Sequence, residues 1–354
     1  MKHGGDIYDH RVELDFSVNL NPLGTPDAIL RSVERAKDRI GVYPEYTQDS
    51  LRNLIADTLG IRPDSVYAGS GASELLMAAV RALQPKKALL FEPAFSGYAH
   101  ALTAAGCEMI RHPLFEENGF VLTEEDLAAL NEDIDVVFVC DPANPSGLNI
   151  GDDVQLKLLE RAEQNHAAVI LDESFFPLSD QAYDRGNGKQ AGDRAEARLK
   201  RFSHLIILRS LTKLFAMPGI RAGYAIASPE LIAAVAMQLP EWNLSVVAEE
   251  AIRAGMEVLK ETDFAKSSIA MIQRERSYLA DRLKECGLTV YESHAPYLLF
   301  TGPQNLYEAL LARGILIRDC SDFYGLEKGY FRVAVRDRTD NEKLAEALRM
   351  ILCR

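Results

Sequence analysis

Four short apolar runs constrain the fold more than any other feature of this sequence. Each has five or six residues, and polar, turn-rich stretches separate them. Apolar runs of this length without polar alternation are typical of strands buried on both faces of a parallel sheet. The runs are ALLFE (88–92), DVVFVC (135–140), AAVILD (167–172) and HLIILR (204–209).

Helical patterns lie between these predicted strands. The stretch 123–133 begins with a Thr cap and early acidic residues, and we predict a helix there and another over 151–166. Alternation of strands with helices predicts a three-layer α/β domain built on a mainly parallel sheet.

We divide the chain into three predicted units. Residues 1–40 are rich in turn residues and cannot form a core alone, so we expect an arm that packs with the smaller domain and the substrate site. Residues 41–232 would form the large domain, and residues 233–354 a smaller α+β domain. The polar stretch 180–201 predicts a surface excursion with a short exposed helix. Strands of the smaller domain are expected within 287–301, 314–320 and 329–335.

Composition argues against several classes of protein. The net charge is −13, whereas a nucleic-acid-binding protein usually carries a basic face. The five cysteines have no paired spacing, which favours reduced thiols in an intracellular protein. The scattered histidines show no metal-ligand spacing. With neither an apolar leader nor a membrane-length apolar run, we expect a cytoplasmic protein without membrane or nucleic-acid partners.

Small and polar residues follow several predicted strands. Gly71, Ala72 and Ser73, in AGSGASELL, would open a helix whose free N–H groups suit a phosphate, or would form a simple strand–helix turn. Asn144, in DPANPSG, is placed for a ligand or acts as a turn former. Asp172 ends an apolar strand, so its charge needs a partner: a cationic ring nitrogen, a helix cap or a salt bridge.

Two cations follow the last apolar run, in RSLTKLFAMPGIRAGY (209–224). Lys213 could lose its proton in a desolvated site and form an imine with a carbonyl. Arg221 offers a fork for a phosphate, with Ser210 and Thr212 nearby. Either cation alone is typical of a solvated surface. Together with the preceding loops, they indicate a site for pyridoxal 5′-phosphate.

These motifs resemble those of the class I/II aminotransferase superfamily of fold-type I pyridoxal-phosphate enzymes, over nearly the whole chain. The resemblance implies that Lys213 holds the cofactor as an imine and then acts as acid and base. Asp172 would keep the ring nitrogen protonated, Asn144 would donate to the phenolate oxygen, and Phe95 would stack on the ring. The implied phosphate site comprises Gly71, the amides of Ala72 and Ser73, and the side chains of Ser210, Thr212 and Arg221.

The resemblance also implies a homodimer with shared sites. Tyr43, in GVYPEY, matches a tyrosine that reaches the cofactor phosphate across a dimer interface. Arg332, in YFRVAV, matches the arginine that binds the substrate carboxylate. Tyr98 either reaches the same site or packs within its helix, and both alternatives stay open.

Within the superfamily, the chain is similar to two groups: threonine-phosphate decarboxylases, which supply the aminopropanol phosphate linker of cobalamin, and histidinol-phosphate aminotransferases. The arm HGGDIY…LDFSVNLNPLG resembles that of the decarboxylases, in which His3 and Asn19 would help bind the substrate phosphate. Arg318, in GILIRDC, matches another arginine on the phosphate side. Phe175 stands where the aminotransferases usually have tyrosine, which leaves the cofactor phenolate oxygen to Asn144 and the imine nitrogen.

We therefore expect an L-threonine O-3-phosphate decarboxylase, with a transaminase that uses histidinol phosphate or a related amine and 2-oxoglutarate as the alternative. The bond that breaks is the one held perpendicular to the cofactor ring, and small changes of geometry select it. A non-catalytic cofactor-binding regulator is a third possibility. The chain shows no basic helix-turn-helix pattern and retains Lys213, so we expect an enzyme.

Overall fold

The four apolar runs form neighbouring strands of one large sheet. The computed structural model describes residues 4–182 and 192–353. In chain order, the strands are β1 (Leu14–Asp15), β2 (Val66–Gly69), β3 (Lys87–Glu92), β4 (Glu108–Pro113), β5 (Val136–Cys140), β6 (Ala168–Asp172), β7 (Leu205–Ser210), β8 (Gly223–Ala227), β9 (Thr289–Val290), β10 (Tyr297–Thr301), β11 (Ile315–Leu316), β12 (Arg318–Asp319) and β13 (Tyr330–Ala334).

Helices cover both faces of this sheet and the flank of a smaller one. The α-helices are α1 (Asp27–Ala36), α2 (Asp49–Leu59), α3 (Ala72–Leu83), α4 (Ser96–Ala104), α5 (Asp152–Gln164), α6 (Gly192–Arg201), α7 (Leu211–Leu214), α8 (Pro229–Ala236), α9 (Val246–Glu261), α10 (Phe264–Glu285), α11 (Leu306–Leu311) and α12 (Arg338–Leu352). Short 3₁₀ helices span Lys37–Arg39, Pro63–Ser65, Glu116–Asn118, Glu125–Ala129 and Phe176–Leu178.

The large sheet has the strand order β2-β8-β7-β6-β5-β3-β4. Strand β8 runs antiparallel to both of its neighbours, and the other strands run parallel to one another. The prediction of a mainly parallel sheet is therefore confirmed. Strands β5, β6 and β7 end at the same edge, so the loops that follow them leave the sheet side by side.

Alternate side chains of each central strand pack into two different cores. On β6, Val169 and Leu171 join the cluster that includes α1, α2 and α9, whereas Ala168 and Ile170 join the cluster with α3, α4 and α8. Each large apolar side chain buried in this way stabilises the fold by about 1.5–3 kcal/mol. Burial on both faces explains why the strands lack polar alternation.

A smaller antiparallel sheet has the order β12-β13-β10-β9, and the predicted strand stretches of the C-terminal third all contribute to it or to its neighbour β11. Helices α10 and α12 supply apolar residues to its core. The N-terminal arm reaches this unit through the parallel pair β1–β11, and Phe16 is fully buried in the same core. These contacts hold the arm against the smaller sheet.

The predicted helix over 123–133 is wrong. Only the 3₁₀ turn Glu125–Ala129 forms there. The Asp126 carboxylate accepts hydrogen bonds from the Thr123 amide at 2.8 Å and the Thr123 hydroxyl at 2.7 Å, and it contacts His112 at 2.8 Å. These bonds form part of a capping box, which favours the start of the turn. The turn does not continue as a helix, because the Asn131 side chain accepts a hydrogen bond from the Asp133 amide at 3.0 Å, a local bond that competes with helix formation.

Two further predictions concern the polar stretch 180–201 and the boundaries between the three units. Of the polar stretch 180–201, α6 forms the helical part, and residues 183–191 lie outside the described residues. The boundaries at 40 and 232 stay predictions. Helix α9 follows the second boundary but packs on α1 and α2 and contributes to the core of the large sheet.

Among the described residues, every helix is too short or too polar to cross a membrane.

Because β7 is buried on both faces, truncation of one of its side chains should lower the stability of the fold. We expect Ile207→Ala to cost about 2–5 kcal/mol of unfolding free energy, because Ile207 is fully buried in the sheet's centre. Ile110→Ala, on the edge strand β4, is the matched control, because Ile110 is 37% exposed. It should cost less than about 1 kcal/mol. Urea unfolding measures both, and equal losses would contradict this description of the core.

Candidate active site

A cavity of about 250 Å³ opens at the carboxyl ends of β5, β6 and β7. It lies between the large sheet, the arm and the smaller sheet. Because several predicted site residues follow these strands, parallel pairing brings them together. The predicted residues that line it are Asn19, Ala72, Ser73, Phe95, Asn144, Asp172, Phe175, Ser210, Thr212, Lys213, Arg221, Arg318 and Arg332.

Two predicted residues are placed differently, and a third lies outside the described residues. Gly71 is the N-cap of α3 and precedes Ala72, which lines the cavity. Tyr43 lies outside the cavity of its own chain; it is 76% exposed, and its ring centroid lies 4.9 Å from that of Trp242. His3 lies outside the described residues. The roles given to Tyr43 and His3 stay predictions.

One end of the cavity has the chemistry of an anion site. Helix α3 begins at Ala72, and its N-cap Gly71 has φ +86°, a conformation that favours glycine. A Cβ at Gly71 would lie 2.6 Å from an Arg221 guanidinium nitrogen, so glycine also makes room for that cation. The hydroxyls of Ser210 and Thr212 lie 2.6 Å apart beside it. A helix N-terminus, a guanidinium and two hydroxyls together suit a phosphate.

Asp172 ends β6 as a buried carboxylate. It accepts hydrogen bonds from the Tyr98 hydroxyl at 2.7 Å and from the Ser174 amide at 2.9 Å. Burial raises its pKa, while these hydrogen bonds and the charge of Lys213 act in the opposite direction. A cationic partner in the cavity would compensate the remaining cost of burying the charge. Tyr98 packs in the core and does not line the cavity, but its hydroxyl contacts Asp172, which does.

Lys213 follows β7 on the short helix α7 and points into the cavity. Burial, followed by the charges of Arg332 and Arg221, lowers its pKa from 10.5 to about 8, against the opposing effect of Asp172. Its ammonium nitrogen lies 5.9 Å from the centroid of the Phe175 ring. An amine with this pKa is neutral in a substantial fraction near neutral pH, as a nucleophile must be.

Two arginines face the cavity from the smaller sheet. Arg318 and Arg332 are paired residues on the adjacent strands β12 and β13. Arg332 donates to Asn144 Oδ1 and, at 3.1 Å, to the Ser17 carbonyl, while Arg318 donates to Asp322 at 2.6 Å. The pairing of the two strands therefore concentrates positive charge on the side of the cavity opposite the large sheet.

Two buried polar atoms of cavity-lining residues have no hydrogen-bond partner within residues 4–182 and 192–353. They are Arg332 Nε and Asn19 Oδ1. A buried donor and a buried acceptor left unpaired are costly, so both atoms favour a polar ligand in the cavity.

Sequence reasoning missed several residues that position the site. Tyr297 packs edge-on against Phe175 at 5.0 Å, and its hydroxyl donates to the Ala143 carbonyl at 2.8 Å. Asn21 holds the arm to the lysine segment, because its amide donates to the Lys213 carbonyl at 3.1 Å and its side chain to the Leu214 carbonyl at 2.8 Å. Turn-rich composition around Asn21 offered no signal for either contact.

The family profile described as "Aminotransferase class I and II" matches residues 11–349. The chain belongs to this family. It is 32% identical to the threonine-phosphate decarboxylase of Salmonella typhimurium, over 99% of this chain and 96% of that protein. It is also 32% identical to the histidinol-phosphate aminotransferase of Nitratidesulfovibrio vulgaris, over 94% of this chain and 87% of the relative. The crystal structure of the histidinol-phosphate aminotransferase from Clostridium acetobutylicum aligns with a TM-score of 0.85 at 30% identity, over 96% of this chain and 99% of that one.

The family and the fold are those of pyridoxal-phosphate enzymes of fold type I, and the residues present fit this cofactor. Arg221, the two hydroxyls and the α3 amides would hold the phosphate, and Asp172 would face the ring nitrogen. When bound, pyridoxal 5′-phosphate supplies an electron sink for a bond that breaks at the α-carbon of an amino acid. Lys213 would supply the amine that binds it and, with a pKa of about 8, can accept and return a proton at Nζ.

The lowered pKa of Lys213 predicts how the cofactor-free protein takes up pyridoxal 5′-phosphate. Because only the neutral amine reacts, the rate should rise with pH through about 8, rather than through the ordinary 10.5 of lysine. Growth of the visible absorbance after mixing measures the rate, and Lys213→Ala should show no such band. Arg332→Gln should move the midpoint upward, because it removes a charge that lowers this pKa. A midpoint above about 10 in the unaltered protein would contradict the prediction.

The Tyr98 hydroxyl should contribute to cofactor binding through Asp172. In Tyr98→Phe the carboxylate loses a donor that favours its ionised form, so its pKa should rise further. We expect the dissociation constant for pyridoxal 5′-phosphate to rise about tenfold, which corresponds to the loss of one hydrogen bond to a charged group. Tyr297→Phe, whose hydroxyl bonds the Ala143 carbonyl, is the matched control and should change it less. Equilibrium dialysis distinguishes the two, and equal effects would contradict this role of Tyr98.

Proposed function

We propose that this protein is a pyridoxal-phosphate-dependent carboxy-lyase that decarboxylates L-threonine O-3-phosphate, the reaction that yields the aminopropanol phosphate linker of cobalamin. We further propose that it works in the cytoplasm as a homodimer with shared active sites. The reaction requires a site that binds a carboxylate and a phosphate on the same small amino acid.

The pairing of Arg318 with Arg332 is the observation that carries the proposal of a small phosphorylated substrate. Their position on adjacent strands, facing Asn19 of the arm, supports a site for two anionic groups of one substrate. Arg332 would bind the carboxylate, and Arg318 with Asn19 the phosphate, joined by His3. The net charge of −13 repels anions in general, so cations gathered in one cavity favour an anionic ligand there.

Phe175 and the arm favour decarboxylation over transamination. Phe175 lies in the cavity with no hydroxyl to offer the cofactor, whereas the resembling aminotransferases usually have tyrosine there. One such hydrogen bond is worth about 1 kcal/mol, which biases the reaction without forbidding the alternative. The relative from Salmonella typhimurium, a threonine-phosphate decarboxylase, aligns with 99% of this chain, the arm included.

The alternative is a transaminase that acts on histidinol phosphate or a related amine with 2-oxoglutarate. The aminotransferase from Nitratidesulfovibrio vulgaris favours it, because its identity to this chain equals that of the decarboxylase, although over a smaller share of both chains. The similar crystal structure of the aminotransferase from Clostridium acetobutylicum also favours it. Both functions use a phosphorylated substrate, so the cationic cluster serves either one.

The proposed homodimer is supported by apolar side chains exposed around Tyr43. Ile40 is 73% exposed, Val42 60% and Tyr46 54%, and the ring of Tyr46 packs on Trp242 beside Tyr43. Exposed apolar residues gathered in one place are typical of an interface. A dimer formed there would bring the partner's copy of this surface toward the site, as the implied role of Tyr43 requires.

A paired assay of the cofactor-loaded protein tests the proposed reaction. L-threonine O-3-phosphate alone should release CO2 over many turnovers, while histidinol phosphate with 2-oxoglutarate should yield no glutamate. Arg318→Gln should raise the KM for phosphothreonine about 10- to 100-fold, as for loss of a charged hydrogen bond. Lys213→Ala is the inactive control. Glutamate without CO2 would establish the transaminase instead. If neither assay shows turnover, a non-catalytic role becomes the better explanation.

A further inference from the structure

We propose that Arg111 is a positioning residue, which joins the loop carrying Phe95 to the segment carrying Phe323 and so sets the substrate side of the cavity. The inference rests on the proposed function for its kinetic part only. Arg111 lies on the edge strand β4 and is not among the residues that line the active-site cavity.

One side of Arg111 contacts the loop that carries Phe95. Its guanidinium forms an ion pair with Glu92, which is 3% exposed at the end of β3. The same carboxylate accepts a hydrogen bond from the Ala94 amide at 2.8 Å. Ala94 immediately precedes Phe95, the residue predicted to stack on the cofactor ring. Arg111 thereby supports the backbone that orients this ring.

The other side of Arg111 contacts the segment 320–326, which we call the wall segment. The guanidinium carbon lies 4.8 Å from the centroid of the Tyr324 ring, a cation–π distance. The neighbouring Phe323 is buried, lines the active-site cavity, and lies 5.3 Å from the guanidinium of Arg318. Asp322, which accepts from Arg318, also belongs to the wall segment. Tyr324 thus connects Arg111 to the residues around the predicted phosphate-binding arginine.

A second cavity, of about 430 Å³, shows what these contacts hold in place. Glu92, Arg111 and Tyr324 line it on one side. It shares four lining residues with the active-site cavity: Phe95, Ser96, Arg318 and Phe323. These four residues therefore line both cavities. The contacts of Arg111 connect the two parts of this shared lining, through Ala94 next to Phe95 and through Tyr324 next to Phe323.

Arginine is required here for a physical reason. A guanidinium can bind a carboxylate along its edge while its flat face stacks on an aromatic ring. The compact ammonium of a lysine can pair with Glu92 but cannot stack on Tyr324 in the same way. A neutral side chain at residue 111 would leave Glu92 buried without this partner and would add damage of its own. Arg111→Lys and substitutions of Tyr324 avoid this damage, so they test the connection directly.

The test compares Tyr324→Ala with Tyr324→Phe, which keeps the ring. Loss of the ring should let the wall segment move, so the KM for the phosphorylated substrate should rise about three- to tenfold while kcat stays within about twofold. Tyr324→Phe should keep the original KM. Tyr278→Ala is the matched control, because it removes another arginine–tyrosine stack, with Arg338 at 3.8 Å, from residues outside both cavities.

A double-mutant cycle separates a connection from independent structural damage. Arg111→Lys should raise the KM as Tyr324→Ala does, and the double variant should be no worse than either single variant, because both break the same contact. Additive effects would overturn the inference. So would an increase in KM for Tyr324→Phe as large as that for Tyr324→Ala.

Hydrogen exchange of the cofactor-loaded protein tests the same connection without turnover. Tyr324→Ala should increase exchange in peptides covering 318–326, whereas Tyr324→Phe and Tyr278→Ala should not. Failure of the proposed reaction would appear as an absence of turnover in the unaltered protein and would leave this result intact. Unchanged exchange and unchanged KM in Tyr324→Ala, with normal turnover, would overturn the role of Arg111 alone.

Discussion

The alignment of β5, β6 and β7 in one parallel sheet is the constraint on which the site depends. In this register Cys140 lies beside Asp172, and Asp172 beside Leu208. The loop with Asn144, the carboxylate of Asp172 and the segment with Lys213 therefore leave the sheet at one edge. Apolar side chains on both faces hold the register, because a slip of one residue would exchange the side chains of the two cores.

Burial of charged groups gives this edge its chemistry. Desolvation raises the pKa of Asp172 and lowers that of Lys213, while the hydrogen bonds from Tyr98 and Ser174 moderate the first effect. Cations that line the cavity would act on a bound ligand at short range, whereas salt screens the dispersed negative charge of the surface. An acidic protein can therefore hold a phosphorylated cofactor and favour an anionic substrate.

Much of this arrangement could be predicted, and the failures have physical causes. The central strands were found because continuous apolar sequence is what burial on two faces requires. The helix predicted over 123–133 stops at Ala129, because the Asn131 side chain bonds the Asp133 amide, and helix propensity does not register such local bonds. The contact of Arg111 with Tyr324 joins residues more than two hundred positions apart, and nothing near either residue in the sequence indicates the other.

The amino-acid sequence is enough to predict the class of fold, the order of the loops that follow the strands, and the residue types available at each loop. Those properties depend on local patterns of apolar, small and charged residues. Three contacts follow from folding alone: Tyr98 bonds Asp172, Arg332 bonds Asn144, and Arg318 lies beside Arg332. These contacts depend on strand pairing and on how the arm and the smaller sheet pack against the large one. Both are set by long-range burial, to which each residue contributes only a small part.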